Sequence, residues 1–471
     1  MRWPILNGIY TTDEGDMRVS YPRNLVPVLQ DSGLAEGFLR PAEGIVSFGT
    51  GPGPDRGGIN WNGRYIRVMG PKLIEISKFG VVTEIGEVEG SVDPVTLDYS
   101  FDYLACASNG KLWLYDGGTL TQVTDVDLGT CIDVVWVDGY FISTDGEFLV
   151  VGDLNDPFDI NQLKYASSEV DPDPIEALLK LRNEVYVLNR YTIEVFRNVG
   201  GTGFPFQRIN GGQMRRGVIG THACCVFTDE FIAFVGGGRN ESPAVWIGAN
   251  GQTKKVSSRE IDKVLATYGE EVLKDVILEE RIDQNHKFLV LHLPDRTFVY
   301  DFAASETGQT QIWHELSSSE LGSGIYRGRN FVYVFDAWHC GDPTAGNAFG
   351  YLDSTISTHY GEKTGWEFST KIVHAEGNGL IFHEVELNGT PGRGVVNQNA
   401  KISTEYSLDH GMTWSQPKYI SPGRLGQRNK HVSWLRQGFM RNQRSQRFRG
   451  DSDTHMSFNR LDLRVEKLHY G

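Results

Sequence analysis

Cysteine is scarce in this chain, with five in 471 residues: Cys106, Cys131, Cys224, Cys225 and Cys340. They are too scattered for a disulfide framework and form no C-x-x-C pair, which implies synthesis in a reducing compartment and argues against a zinc site. The twelve histidines fall in no H-E-x-x-H or comparable ligand set, so no metal and no cofactor is expected. The N-terminal Met1-Arg2-Trp3-Pro4-Ile5-Leu6-Asn7-Gly8 lacks the apolar core of a signal peptide. No apolar run approaches membrane-spanning length, so a soluble protein without membrane insertion is expected. One further absence is local: between residues 423 and 449 there is no acidic side chain.

That acid-free stretch holds eight basic residues: Arg424, Arg428, Lys430, Arg436, Arg441, Arg444, Arg447 and Arg449. The whole chain carries 45 basic and 60 acidic groups, net −15, yet residues 401–471 alone are net +7, leaving −22 on residues 1–400. An acidic body excludes a general nucleic-acid binder, because phosphate is repelled over most of its surface. The basic segment is therefore a candidate for local contact, either with protein or transiently with DNA. A solvated rim is the plain alternative, although Trp434, Phe439 and Phe448 interleave with the cations. Gly423, Gly426, Gly438 and Gly450 argue for strands joined by an arginine-rich loop rather than one helix. Beyond it, Leu461, Leu463 and Val465 alternate with charged residues as a half-buried strand requires.

Glycine is plentiful (55) and aromatics make up 11%, which suits many short strands joined by tight turns. Val134-Val135-Trp136-Val137 turns at Asp138-Gly139 into Tyr140-Phe141-Ile142, and Asp145-Gly146 leads to Phe148-Leu149-Val150-Val151. Such pairs recur at a spacing of about 40–50 residues, that of propeller blades, with the blade count open and a tandem of sandwiches or barrels as the competing architecture. One interruption is helical: Ser257-Ser258-Arg259-Glu260 reads as a capping box, followed by Ile261, Val264, Leu265 and Tyr268 at helical spacing and a stop at Gly269. The fold class is mainly β. The expected domains are an N-terminal arm (1–40), a propeller-like body (41–380) with a helical insertion at about 257–280, and a C-terminal β domain (381–471).

Several motifs invite chemistry. Ser407, Asp409, Gly411 and Trp414 fit the S-x-D-x-G-x-T-W Asp-box, which is expected to brace a hairpin turn rather than catalyse. Asp153, Asn155, Asp156 and Asp159 superficially suggest calcium, but the EF-hand spacing, glycine and closing glutamate are missing. Gly49-Thr50-Gly51-Pro52-Gly53-Pro54 precedes a strand rather than a helix, so it offers no phosphate cradle. No nucleophile, base and orienting group stand at diagnostic spacing, and no enzyme is expected.

The order of further motifs resembles a known family. Thr192-Ile193-Glu194-Val195-Phe196, Gly203-Phe204-Pro205-Phe206, Gly217, Phe234-Val235-Gly236 and Val245-Trp246 come first. His292-Leu293-Pro294, Val299-Tyr300-Asp301, Trp313, Tyr326-Arg327-Gly328 and Gly341-Asp342 follow, while Asn24-Leu25, Gly37-Phe38-Leu39-Arg40-Pro41 and Gly44-Ile45 fit the opening segment. Together they resemble the tail accessory factor of short-tailed phages, the packaged-DNA stabilisation protein or tail nozzle. The resemblance implies a structural virion protein forming a six-fold ring below the portal and its adaptor. It further implies that the ring extends the DNA channel, carries fibres or spikes and is closed by a plug or needle. The reading from a different class is a host-surface propeller that binds or cleaves carbohydrate.

Overall fold

The computed structural model describes every residue except 1, 4, 7, 12–16, 30–36, 169–170, 202, 284, 345, 375–378, 394–399 and 469–471. Its backbone divides into two units, one formed by residues 47–294 and 327–352 and the other by residues 1–46, 295–326 and 353–471.

The first unit is a propeller. Four successive antiparallel sheets of four strands span residues 55–87, 96–122, 133–167 and 175–208, and a five-stranded sheet follows at 217–255. Next come the hairpin of Ile277–Asp283 with His286–His292 and the strands Arg329–Val334, Ala337–Gly341 and Ala348–Asp353. Residues 47–50 of the strand Gly44–Thr50 join that last sheet. Gly51 N donates to Asn347 O at 2.8 Å, and Phe48 packs edge-on against Phe349 and Tyr351. The ring is thus closed by its own beginning, which supplies the outer strand of the last blade.

Tight turns make the blades. Asp138 (φ 50°) and Gly139 (φ 91°) both adopt left-handed backbone, the geometry of the two-residue turn that matches strand twist. Phe335 (φ 53°) and Asp336 (φ 61°) adopt the same turn without a glycine, at a local cost that the paired strands must offset.

Alternating burial stacks the sheets face to face. Ile66, Val68 and Leu73 meet Leu104, Cys106 and Tyr115, and Leu112 and Leu114 meet Val134 and Phe141. Val135 and Ile142 meet Leu178 and Val185, while Tyr65, Met69 and Ile74 meet Val332, Val334 and Phe349 at the closure. Inner-strand carboxylates add a second tie. Asp98 accepts Trp136 N–H (2.6 Å), Asp133 accepts Leu178 N–H (2.7 Å) and Glu279 accepts Phe331 N–H (2.8 Å), each from the next blade. Each bond satisfies an amide on the innermost strand of its sheet, where the ladder to the neighbouring strand leaves that group to find its own acceptor.

The helical interruption is present as Arg259–Thr267 and Glu270–Leu273. Its cap is Ser258, whose side chain accepts Ile261 N–H, rather than Ser257. Ser257 instead accepts Val245 N–H and donates to Asp262, tying the helix to the preceding strand.

The second unit is a β-sandwich. One sheet runs in the order Leu25–Val28, Phe38–Pro41, Phe458–Lys467, Leu380–Gly389 and Ser433–Leu435. Arg2–Trp3 pairs with Phe458–Lys467, and Phe439–Met440 with Leu380–Gly389. The other sheet runs Gly365–Ser369, Gln443–Asp451, Ile402–Ser407 and Lys418–Ile420. Between them lie Trp3, Leu39, Trp366, Phe368, Phe382, Ile402, Trp434, Phe448, Phe458 and Leu461. The expected separate arm at 1–40 differs from this arrangement, because Trp3, Leu25 and Leu39 are core residues of the sandwich. Leu461 and Leu463 are buried and Arg460 and Arg464 exposed, as their alternation requires.

Candidate functional site

The basic segment enters the sandwich as loop, two short strands and one long strand, and this divides its cations into two groups. Arg424, Arg428, Lys430, Arg436 and Arg441 are exposed. In the loop, Gln427 Oε1 accepts Arg424 N–H and Gly426 N–H donates to Gly392 O, which shapes the backbone and leaves the side chains outside. Arg436 sits in left-handed backbone (φ 54°), with its carbonyl accepting Lys418 Nζ at 2.9 Å.

Arg444, Arg447 and Arg449 lie on Gln443–Asp451, a central strand of its sheet, and belong to the fold. Arg444 is 0% exposed. Its guanidinium lies 4.2 Å from the Phe382 ring centre and 4.0 Å from that of Tyr406. It donates to Gln446 Oε1 (3.1 and 2.9 Å) and to Gln437 O (2.7 Å). Burial pulls its pKa down to about 10, and two π faces with neutral oxygens replace the missing carboxylate.

Arg447 stacks 3.9 Å over Trp414 and donates from Nε to Glu405 at 2.8 Å. Arg449 joins Glu367 (2.6 Å) and Glu405 (3.4 Å), and Arg23 reaches Glu367 at 3.5 Å. Two carboxylates thereby hold three guanidiniums across three strands and the segment at Arg23. Of the candidate contact set, Arg444 is turned inward on the core face, while Arg447 and Arg449 lie on the opposite face, directly across from Glu405 and Glu367 of the flanking strands, because successive side chains of a strand alternate faces.

The Asp-box is a turn brace. Ser407 Oγ donates to Asp409 Oδ1 (2.7 Å) and accepts Gly411 N–H (2.7 Å), while Thr413 N–H (2.9 Å) and Oγ1 (2.5 Å) donate to Asp409. Burial opposes ionisation of Asp409, but the Thr413 and Ser407 bonds together outweigh it and hold the carboxyl below its ordinary value. Trp414, the last residue of the motif, is the platform for Arg447.

The other motifs are similarly spent. Asp153 is ion-paired with Lys164, and Asp156 Oδ1 accepts Phe158 N–H at 3.2 Å. Cys106, Cys131, Cys224 and Cys340 are free and buried, and Cys225 is free and half-buried. A recess of about 620 Å³ is lined by inner strands of the propeller, with Asp98, Lys180, Arg182 and Asp229 among its residues. Lys180 is held 4.5 Å over the Trp136 ring, and Thr96, also in the lining, hydrogen-bonds the Asp133 carboxyl. Among the described residues, no helix is long and apolar enough to cross a membrane.

The chain thus combines a closed β-propeller with a β-sandwich whose polar groups brace its strands. The chain belongs to the bacteriophage P22 Gp10 family: the family's β-propeller matches residues 1–357 and its β-sandwich residues 365–466. It is 26% identical over 460 residues to the tail hub protein gp10 of Salmonella phage P22, covering 93% of each chain. The family is one of structural tail proteins, and the chain is not an enzyme. Among solved structures, the N-terminal domain of Nup159 aligns with a TM-score of 0.42 at 9% identity, over 71% of this chain and 98% of that one. The Neurospora crassa Pan2 WD40 domain aligns at 0.43 and 9% identity, over 66% and 95%.

Proposed function

We propose that this chain is the tail nozzle subunit of a short-tailed phage, a virion protein made in the host cytoplasm and assembled as a six-fold ring. The ring extends the portal channel below its adaptor, retains packaged DNA, docks fibres or spikes, is closed by a plug or needle, and conducts DNA on ejection. The observation that carries this reading is the match of both domains, in order, to the P22 Gp10 family.

Electrostatics supports it. Residues 1–400 carry −22, and an acidic conduit repels phosphate so that DNA contact stays transient. The exposed cations of residues 424–441 supply docking contacts to acidic protein surfaces. Electron microscopy of the purified chain tests the ring directly: six-fold rings support the reading, and a strictly monomeric chain or a predominantly basic bore contradicts it. Duplex-DNA binding measured against salt tests the assignment of the cations. A steep loss of affinity with salt, removed by R424A/R428A/K430A, would reassign those residues to phosphate contact.

A further inference from the structure

The longest outer strand of the propeller, Asp156–Ser167, pairs on one side with Phe148–Asp153. Its exposed residues are an unusual mixture for a free edge. Leu154 in the preceding turn, Phe158, Leu163 (82%) and Tyr165 are exposed apolar groups, and Asp156 and Asp159 lie exposed between them. The one lysine of the strand, Lys164, is engaged by Asp153. Pro157 and the bulges around Gly152 interrupt the start of this edge, Phe158 rests edge-on against Tyr103, and Asp125 accepts Ile160 N–H. The free apolar surface therefore centres on Leu163 and Tyr165 with Asp156 and Asp159 beside it, and such an apolar, net negative patch is a surface awaiting a partner.

The sandwich carries the complement. Its edge strands Lys418–Ile420 and Ser433–Leu435 expose Tyr419 (64%) and Leu435 (65%), with Phe439 alongside. The loop between those strands adds Arg424, Arg428 and Lys430, all exposed, in a stretch with no acid.

Resting on the ring reading above, we propose that the apolar-basic edge of one copy's sandwich docks onto the apolar-acidic edge strand 156–167 of the next copy's propeller. The two patches are different surfaces of the same chain, so the contact is head-to-tail and repeats around a ring. Apolar groups supply the affinity, and the opposed charges set the register and reject like patches. The oxygen-rich cluster 153–159 is thereby one half of a subunit interface.

Charge exchange tests it on the full chain. R424E/R428E/K430E, and separately D156K/D159K, are each expected to raise the concentration at which rings form about a hundredfold, since like charges are then juxtaposed. Combining both sets restores opposite charge and is expected to recover most of the assembly. All altered side chains are exposed, and circular dichroism melts confirm that each variant is folded. Y419S/L435S, which changes no charge, is expected to weaken assembly at all salt concentrations. Rings indifferent to either reversal, or a combined variant no better than its parents, would overturn this interface alone. A wild-type chain that stays monomeric would overturn the ring reading and the interface with it.

Discussion

The two halves of the basic segment differ in almost every physical respect although they are adjacent and alike in composition. Residues 424–441 lie on a loop and short edge strands with their cationic groups in water. Residues 444–449 lie on a central strand, where each guanidinium is stacked or paired. The same side chain therefore serves as a contact on an edge and as a brace at the centre. What decides between them is the number of neighbouring strands, a property of topology rather than of charge. A buried arginine without a carboxylate tolerates its site only because Phe382, Tyr406, Gln446 and the Gln437 carbonyl together replace water.

The comparison breaks first, if it is wrong, at Arg444. Arg444→Ala is expected to lower stability by about 3–5 kcal/mol, because it empties a packed site and orphans buried acceptors. Arg428→Ala is expected to stay within about 0.5 kcal/mol. Chemical-denaturant midpoints of the two variants measure the contrast, and equal effects would dissolve it. Glu405→Gln is expected to cost about 2 kcal/mol by the same assay, since one carboxylate serves both Arg447 and Arg449. Asp409→Ala, which leaves Thr413 and Ser407 without their shared acceptor, is expected to cost about 1 kcal/mol, comparable to losing a helix cap.

A further contrast is one of sign between propeller and sandwich. Burial pushes Asp133 up to about 7 and Asp98 up to about 6, with their mutual repulsion adding to Asp133. Raised carboxyl pKa values give stability that is complete below the unfolded value of about 4 and is lost as pH rises through about 6–7. Asp409 is depressed, so its contribution is present above the unfolded value and is lost as pH falls. Burial holds His222, His292 and His339 of the same unit down, and their contribution grows as pH rises, so Asp133→Asn set against the parent chain isolates the carboxyl. Domain-resolved hydrogen exchange between pH 4 and 8 is expected to show the variant's propeller gaining protection relative to the parent as pH rises. A difference between the two chains that does not change with pH would contradict the assignment.

Much of the local architecture is legible in short stretches of residues. Asp138-Gly139, the Asp-box turn, the helix at 259–267 and the alternation through Leu461 and Leu463 all announce themselves, because each depends on neighbours within a few residues. Ring closure does not, since residues 47–50 and the strand Ala348–Asp353 are about 300 positions apart and nothing local in either marks the pairing. The same holds for Trp3 and Leu39 entering the sandwich core. The inward arginine carries a signal that its charge obscures. Arg444, Gln446 and Phe448 share one face of a strand, and Phe448 marks that face as the core side. The clasping role of Asp98 and Asp133 has no such mark, because an aspartate beside a strand reads as a turn residue until its acceptor geometry is seen.

Arginine-selective footprinting of the native full chain with a dicarbonyl reagent tests the division of the basic segment most directly. The expected result is rapid modification of Arg424, Arg428, Arg436 and Arg441, with Arg444 protected until the protein unfolds. Modification of Arg444 at the rate of the loop arginines, in chain that remains folded, would contradict it.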